Sequence, residues 1–343
     1  MSFYLQGVFL FKILSLLLLS ILSLRGDENY QLGEGIQIET LPIYLGGYIS
    51  LEYDKSEMKD RYSFDDIAIL SYGNYEKYSY LIELEYKELY VKSKYHNTKA
   101  TVTKNYQLYT ERVYIDYNYN ENYMLRIGKY NSNIGFWNIM PINILRETSS
   151  TPLSNSILFP TFTTGLSLSY LYYLSSAEIK IDTMIQNNSD LDAEYNNYQI
   201  DKHYGIGLSY SKDDFTFKIN SGLFHKKNSK VDNNLLYYYL LSNKYETESF
   251  QLLSEFGQQY SSNKLTTEYA GYIQGSYHFT EHHSTILRVE SYNTYKTIQS
   301  TQENFMIVAY TYRPIYPIAL KSEYQIHSND DLNKLLLSFS VLF

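Results

Sequence analysis

Residues 335–343, Leu-Leu-Leu-Ser-Phe-Ser-Val-Leu-Phe, close the chain on an aromatic residue. Leu335, Leu337, Phe339, Val341 and Phe343 fall on one face, with Ser338 and Ser340 on the other. A period of two is that of a β-strand, whose successive side chains point to opposite sides. Residues 203–210 repeat it, setting Tyr204, Ile206, Leu208 and Tyr210 against Gly205, Gly207 and Ser209. In residues 112–119, Val113, Ile115, Tyr117 and Tyr119 oppose Arg112, Asp116 and Asn118. In residues 318–327, Ile318, Leu320, Tyr324 and Ile326 oppose Lys321, Glu323 and Gln325.

Charges on the second face separate two architectures. A sandwich would need another sheet over every apolar face and a wet outer face for the charges. A barrel closed on itself in a membrane puts the apolar face on lipid and leaves the charges in water. The connections agree with the second. Long polar stretches (188–202, 226–234, 293–303) trade places with tight turns at Gly73-Asn74, Asn120-Glu121, 211–214 and 280–283. Short turns at one mouth and long loops at the other mark outer-membrane barrels. The expectation is an all-β chain in which residues 43–343 form a transmembrane, antiparallel barrel of about sixteen strands. An even count leaves both termini on the periplasmic side.

Composition supports this reading. There are 41 Tyr and 1 Trp among 343 residues. Tyr suits a membrane interface, where the ring is buried and the hydroxyl stays wet. Mean hydropathy is −0.36, too low for a helical membrane bundle. The absence of cysteine excludes thiol chemistry, disulfides and cysteine metal sites. A net charge of −8 argues against a nucleic-acid partner. Residues 1–26 read as a signal peptide: Lys12 precedes an Ile/Leu/Ser core over 13–24, too short to span a bilayer, and Arg25-Gly26 opens a polar run. Residues 27–42 then form a short periplasmic lead-in.

The longest connection, 132–163, differs from the others. It holds Ile134, Phe136, Trp137, Ile139, Met140, Ile142, Ile144, Leu145, Ile157, Leu158, Phe159 and Phe162, with Pro141, Pro152 and Pro160 and only two charges, Arg146 and Glu147. An apolar loop of this length exposed to water would be a sticky patch. The nearest cover is the barrel's own inner wall. The third outer loop is therefore expected to fold inward and narrow the lumen, with Phe136, Trp137, Phe159 and Phe162 packing it in place.

Three runs carry a family resemblance: Leu125-Arg126-Ile127-Gly128-Lys129-Tyr130, Gly135-Phe136-Trp137-Asn138, and Phe159-Pro160-Thr161-Phe162-Thr163-Thr164-Gly165. They resemble the third-loop region of Gram-negative outer-membrane porins, closest to the phosphate-selective porin O and P group. The resemblance covers about forty residues around the loop. It implies a sixteen-stranded, usually trimeric barrel, with loop three in the lumen, that passes small hydrophilic solutes or ions. Two departures stand out. No Pro shortly precedes Gly135, and the loop lacks the Lys/Arg cluster that would accompany phosphate selectivity.

Selectivity in a wide pore comes from charge at its narrowest point. Arg112 and Arg126 lie on strands flanking the loop's root, and Arg146 and Glu147 ride on the loop; these four are the expected constriction. By alternation Lys180, Lys218, Arg288 and Lys321 face inward, as do the acids Glu52, Glu83, Glu85, Asp116, Glu178, Asp182, Glu290 and Glu323. The two signs nearly balance, with a slight acidic excess. The expected surroundings are outer-membrane lipid and lipopolysaccharide. No spacing points to a metal, a cofactor or a catalytic residue, since the seven His are scattered and Ser284 adjoins His283 only in sequence. An enzymatic barrel, a structural or adhesive barrel and a channel for hydrophobic compounds compete less well. The last normally needs an N-terminal plug, and a structural barrel needs fewer strands and a filled lumen.

Overall fold

The computed structural model describes residues 30–38, 41–96, 98–227, 235–261, 267–296 and 299–343. The expected leader, 1–26, lies outside them. Sixteen long strands follow one another: β1 (Tyr44–Ser56), β2 (Lys59–Tyr75), β3 (Tyr78–Tyr95), β4 (Leu108–Asn118), β5 (Tyr123–Asn131), β6 (Phe162–Tyr173), β7 (Glu178–Gln186) and β8 (Ile200–Lys212), then β9 (Phe215–Lys226), β10 (Leu235–Glu246), β11 (Phe250–Ser261), β12 (Thr267–Thr280), β13 (His283–Lys296), β14 (Gln299–Ile315), β15 (Ile318–His327) and β16 (Lys334–Leu342). Each pairs antiparallel with the next, up and down without jumps. The last pairs back onto the first, with Val341 opposite Ile49 and Lys334 opposite Ser56. The sheet is closed, as expected from the chain's alternation, and closure leaves no edge unpaired. Three short pieces are accessory: Tyr30–Gln31 and Gly35–Gln37 form a hairpin on the start of β1, and Thr101–Lys104 pairs with β3.

The chain's last residue completes the seam. Gly47 N donates to the Phe343 carbonyl (2.7 Å) and Phe343 N donates to the Gly47 carbonyl (2.8 Å). A Cβ on residue 47 would run into the Ala68 carbonyl oxygen and stand 2.9 Å from the Phe343 ring, so only glycine admits this approach.

Burial is inverted relative to a protein in water. On β15, Leu320 and Tyr324 are 40% and 46% exposed, while Lys321 and Glu323 are 4% and 1% exposed. On β13 exposed Leu287 and Val289 alternate with buried Arg288 and Glu290. Apolar side chains face out all round the barrel and charges face in, the arrangement that lipid outside requires.

Tight turns occupy one end, at 76–77, 119–122, 174–177, 213–214, 247–249, 281–282 and 316–317. Two sequence expectations are corrected here. The first tight turn is Glu76-Lys77, not Gly73-Asn74, which lie inside β2. Tyr75 pairs with Tyr78 and Glu76 takes φ 52°, so the turn conformation fell on a residue with no turn signature. The long loop expected at 293–303 is mostly ladder: Asn293 pairs with Gln302 and Lys296 with Gln299. The backbone ladder there runs on through an Asn-rich, loop-like composition, because each added rung pairs further N–H and C=O groups.

Three register shifts break the alternation beside the first strands. The β1–β2 ladder slips between Ser50 and Leu51, leaving Asp65 as the extra residue. The β2–β3 ladder slips between Phe64 and Asp66, beside Glu88 at φ 51°. The β3–β4 ladder slips between Glu83 and Leu84, leaving Glu111 as the extra residue. A β-bulge of this kind re-aims the inserted side chain.

Candidate pore site

The 132–161 connection leaves β5 and returns to β6 through a neck closed by its own backbone. Ser132 N donates to the Thr161 carbonyl (2.8 Å), and Asn138 Nδ2 donates to the carbonyls of Ser132 (2.6 Å) and Thr161 (3.0 Å). Its aromatic residues are buried. Trp137 and Phe159 are each 1% exposed, and Phe136 and Phe162 are buried too. Phe159, Ile134 and Leu158 pack with Met184, Phe224, Tyr238 and Leu240 from the wall, and Phe136 packs on Leu253 and Tyr272. Two guanidinium groups stand over the Trp137 ring, Arg288 at 5.3 Å and Arg146 at 5.7 Å.

Polar anchors extend this contact round the barrel from β9 to β16. Lys218 donates to Asn133 Oδ1 (3.0 Å) and the Gly135 carbonyl (3.1 Å), and Glu255 accepts from Phe136 N. Glu290 accepts from Leu153 N at 2.9 Å. Arg288 donates to Thr148 Oγ1 (2.8 Å) and to the carbonyl of Ser150 (3.1 Å), while pairing with Glu290 at 2.7 Å. Glu323 accepts from the Ser150 hydroxyl, Lys321 donates to Asn143 Oδ1 (2.9 Å), and Ser149 meets Ser338 at 2.6 Å. Arg313 donates to the carbonyls of Ile144 and Arg146, and Thr311 Oγ1 to that of Glu147.

The next connection, 187–199, straps the returning arm. Asn197 accepts from Thr161 N (2.9 Å) and donates to the carbonyls of Ser156 (3.0 Å) and Phe159 (2.8 Å), while Tyr198 OH donates to the Ile157 carbonyl. Asp190 accepts from Gln186 (2.7 Å) and Asn196 (3.1 Å). Burial pushes its carboxyl up, and those two amides partly offset the push.

The connection meets the first strands where Ile142 packs on the Tyr48, Ala68 and Leu70 cluster and Asn143 Nδ2 donates to Glu52 Oε1 (3.3 Å), and it leaves space beside that contact. There the structure holds a cavity of about 580 Å³, lined on one side by Asn138, Asn143, Arg146 and Ser150 and on the other by the first strands. Its carboxylates are Glu52, Asp54, Asp65, Asp66, Glu85, Glu111 and Glu194; its cations are Arg61, Lys87, Arg146 and Lys334. The cavity wall thus carries seven acids against four bases. Burial holds the Arg146 guanidinium below its ordinary value, and Asp66 and Glu111 act the other way. A guanidinium stays charged nonetheless.

The residues expected at the constriction separate. Arg146 lines the cavity, donating to the Met140 carbonyl (2.7 Å) and to Thr151 Oγ1 (3.2 Å). Arg112 and Arg126 do not line it. Arg112 pairs with Glu83, and Arg126 makes a two-point pair with Asp116 (2.7 and 2.8 Å). Glu147 is also absent from the lining, and its Oε2 is buried without a partner. Of the expected inward charges, Lys218, Arg288, Glu290, Lys321 and Glu323 hold the connection, Asp116 is taken by Arg126, and Lys180 meets Asp182 at 3.1 Å. Alternation missed Asp65, Asp66 and Glu111, because it assumes an unbroken period. The trace in the sequence was the polar run Thr110-Glu111-Arg112, in which the next turn of the alternation fails to appear. Ser284 hydrogen-bonds His278 (2.8 Å), its cross-strand partner, and His283 instead stacks on Tyr312 and bonds Tyr310.

No protein-family model matches the sequence, and no curated protein matches it either. Solved structures do match. A loop L8 deletion mutant of the Vibrio cholerae outer-membrane protein OmpT superposes with a TM-score of 0.61 at 11% identity, over 88% of this chain and 99% of that one. The outer-membrane channel DcaP of Acinetobacter baumannii gives 0.56 at 10% identity, over 90% and 100%. An anion-selective porin from Comamonas acidovorans gives 0.57 at 9% identity, over 88% and 99%. At such identities the likeness is one of fold: this chain is a closed antiparallel barrel of the kind that outer-membrane porins and channels form.

Proposed function

We propose that this protein is an outer-membrane porin of a Gram-negative bacterium, through which small hydrophilic solutes or ions diffuse passively. One observation carries the reading most. The 132–161 connection is fastened to β9–β16 by buried hydrogen bonds and touches β1–β3 through Ile142 and Asn143, with a polar cavity of about 580 Å³ left beside those strands. The loop thus narrows the lumen without filling it. Charge at that narrow point sets ion preference. Arg146 forms one side of the constriction. Arg112, Arg126 and Glu147 act from behind it, through the field they contribute and the residues they hold. The opposite wall is acidic, which disfavours the phosphate-selective variant of this reading suggested by the third-loop resemblance.

A cleaved leader at 1–26, contact with lipid and lipopolysaccharide, and a homotrimer belong to the same proposal. Vibrio cholerae OmpT has been solved in a trimer form, which supports the last. The test is planar-bilayer recording of the refolded protein. Discrete conductance steps are expected; a folded, inserted barrel that passes no current would overturn the reading.

A further inference from the structure

The bulge at Glu111 brings three carboxylates together on the wall of the passage. Glu83 and Glu85 stand on the inward face of β3, and Glu111 is turned to join them from β4. One oxygen from each lies within 4.8 Å of the other two. All three side chains are buried, at 0%, 1% and 5% exposure.

Their partners do not satisfy them. Arg112 pairs with Glu83 through Oε2 alone. Tyr48 OH lies 2.9 Å from Glu85 Oε2 and 3.1 Å from Glu111 Oε2, but a hydroxyl has one proton to give. Glu83 Oε1 and Glu85 Oε1 are buried and complete no hydrogen bond, with Asp66 and Tyr195 lying beside Glu85. Buried carboxylate oxygens left without a partner are costly, by several kcal/mol for a bare charge. A cation removes that cost.

We propose that Glu83, Glu85 and Glu111 hold a divalent calcium ion. The donors are all hard oxygens, the set that suits Ca2+ or Mg2+ over a transition metal. Oxygens within 4.8 Å of one another can all reach one ion, since two Ca–O bonds of about 2.4 Å span about 4.8 Å, and Ca2+ accepts an irregular shell where Mg2+ at about 2.1 Å demands a near-ideal octahedron. Tyr48 holds two of the ligands from behind. Glu85 and Glu111 open onto the 580 Å³ cavity, which gives the ion its route in and supplies water to complete its shell. Bound there, the ion cancels much of the acidic wall and moves the passage toward anions. This last consequence rests on the pore reading; the binding itself does not.

Protein folded in detergent and stripped of metal is titrated with CaCl2 in a calorimeter, with MgCl2 as comparison. One saturable Ca2+ site per chain is expected, weakened about tenfold in Tyr48→Phe, as for an outer-shell ligand partner. Glu85→Gln and Glu111→Gln should abolish it, while Glu246→Gln, an acid beside a tight turn, should not change it. No saturable heat in the unmutated protein would mean that a shared proton alone fills the cluster, and the proposal falls; that arm needs no variant to fold. Retention of the site in both glutamine variants overturns it equally. In bilayers, Ca2+ at its binding concentration should shift the reversal potential toward anion preference, and Glu85→Gln should lose that shift. Binding by a barrel that never conducts leaves the site standing and sinks the pore; conduction without binding does the reverse.

Discussion

Arg288 on β13 and Ser150 in the 132–161 connection are tied by three hydrogen bonds, two to the Ser150 carbonyl (both 3.1 Å) and one to its hydroxyl (2.6 Å). The same guanidinium pairs with Glu290 and lies 5.3 Å from the Trp137 ring centre. One fully buried cation thus joins the barrel wall, the tip of the connection and its only Trp.

Replacing Arg288 with Met should therefore do two things. It strands Glu290 as a buried charge, a change that costs about 3–5 kcal/mol. It also frees the connection, so single-channel conductance should rise and its noise increase. Urea unfolding monitored by tryptophan fluorescence reads the first effect, and bilayer recording the second. A destabilised barrel with unchanged conductance would mean that Arg288 does not hold the constriction.

Deleting residues 139–156 removes most of the part that reaches β13–β16 and keeps the neck made by Ser132, Asn138 and Thr161. Conductance should increase markedly. If the pore is unchanged, the connection is not what narrows it.

Neutralising Arg146 with Gln should raise cation preference, because it lines the cavity. Arg126→Gln should shift the reversal potential much less, since Asp116 already compensates its charge at 2.7 Å. Glu52→Gln with Asp66→Asn should shift it the other way. All three shifts should shrink between 0.1 M and 1 M KCl, as the screening length falls from about 10 Å to about 3 Å. Equal effects from Arg126 and Arg146 would contradict the geometry.

Asp190 offers a pH test. Its carboxyl sits above the ordinary aspartate value of 3.8 in the fold, so the folded chain keeps a proton that the unfolded chain has released. Stability from this group is present at acid pH and is lost as pH rises through the raised value. Hydrogen exchange in 187–199 should speed up over that window, and Asp190→Asn should flatten the dependence. An unchanged profile in the variant would assign the effect elsewhere.

Gly47→Val would place a side chain against Phe343 and the Ala68 carbonyl. It should destabilise the β1–β16 seam and lower the temperature at which the barrel unfolds in detergent gels. Full heat resistance would show that the C-terminus can close the barrel in another register.

Strand number and order were readable along the chain, and so was facing wherever the alternation runs unbroken, because a strand's two-residue period is local and lipid outside demands an apolar face on every strand. Leu335 to Phe343 already displayed it. Loop composition was readable for the same reason: the aromatic residues of 132–163 had to be covered by something. Where Asn-Gly-like signals and ladder pairing competed, at Gly73-Asn74 and around Asn293, pairing won, since each added rung gains cross-strand contacts that a turn forgoes.

Ion partners were decided by the tertiary structure alone. That Arg112 and Arg126 would be consumed by Glu83 and Asp116, while Arg146 stayed at the cavity, depends on side chains meeting across strands and not on their order. The bulges at Asp65 and Glu111 are likewise invisible to periodicity, because one inserted residue reverses which face every later side chain occupies. The chain by itself determined a closed wall with grease outside. The positions of its charges around the cavity were settled only when that wall curled and the long connection packed against it.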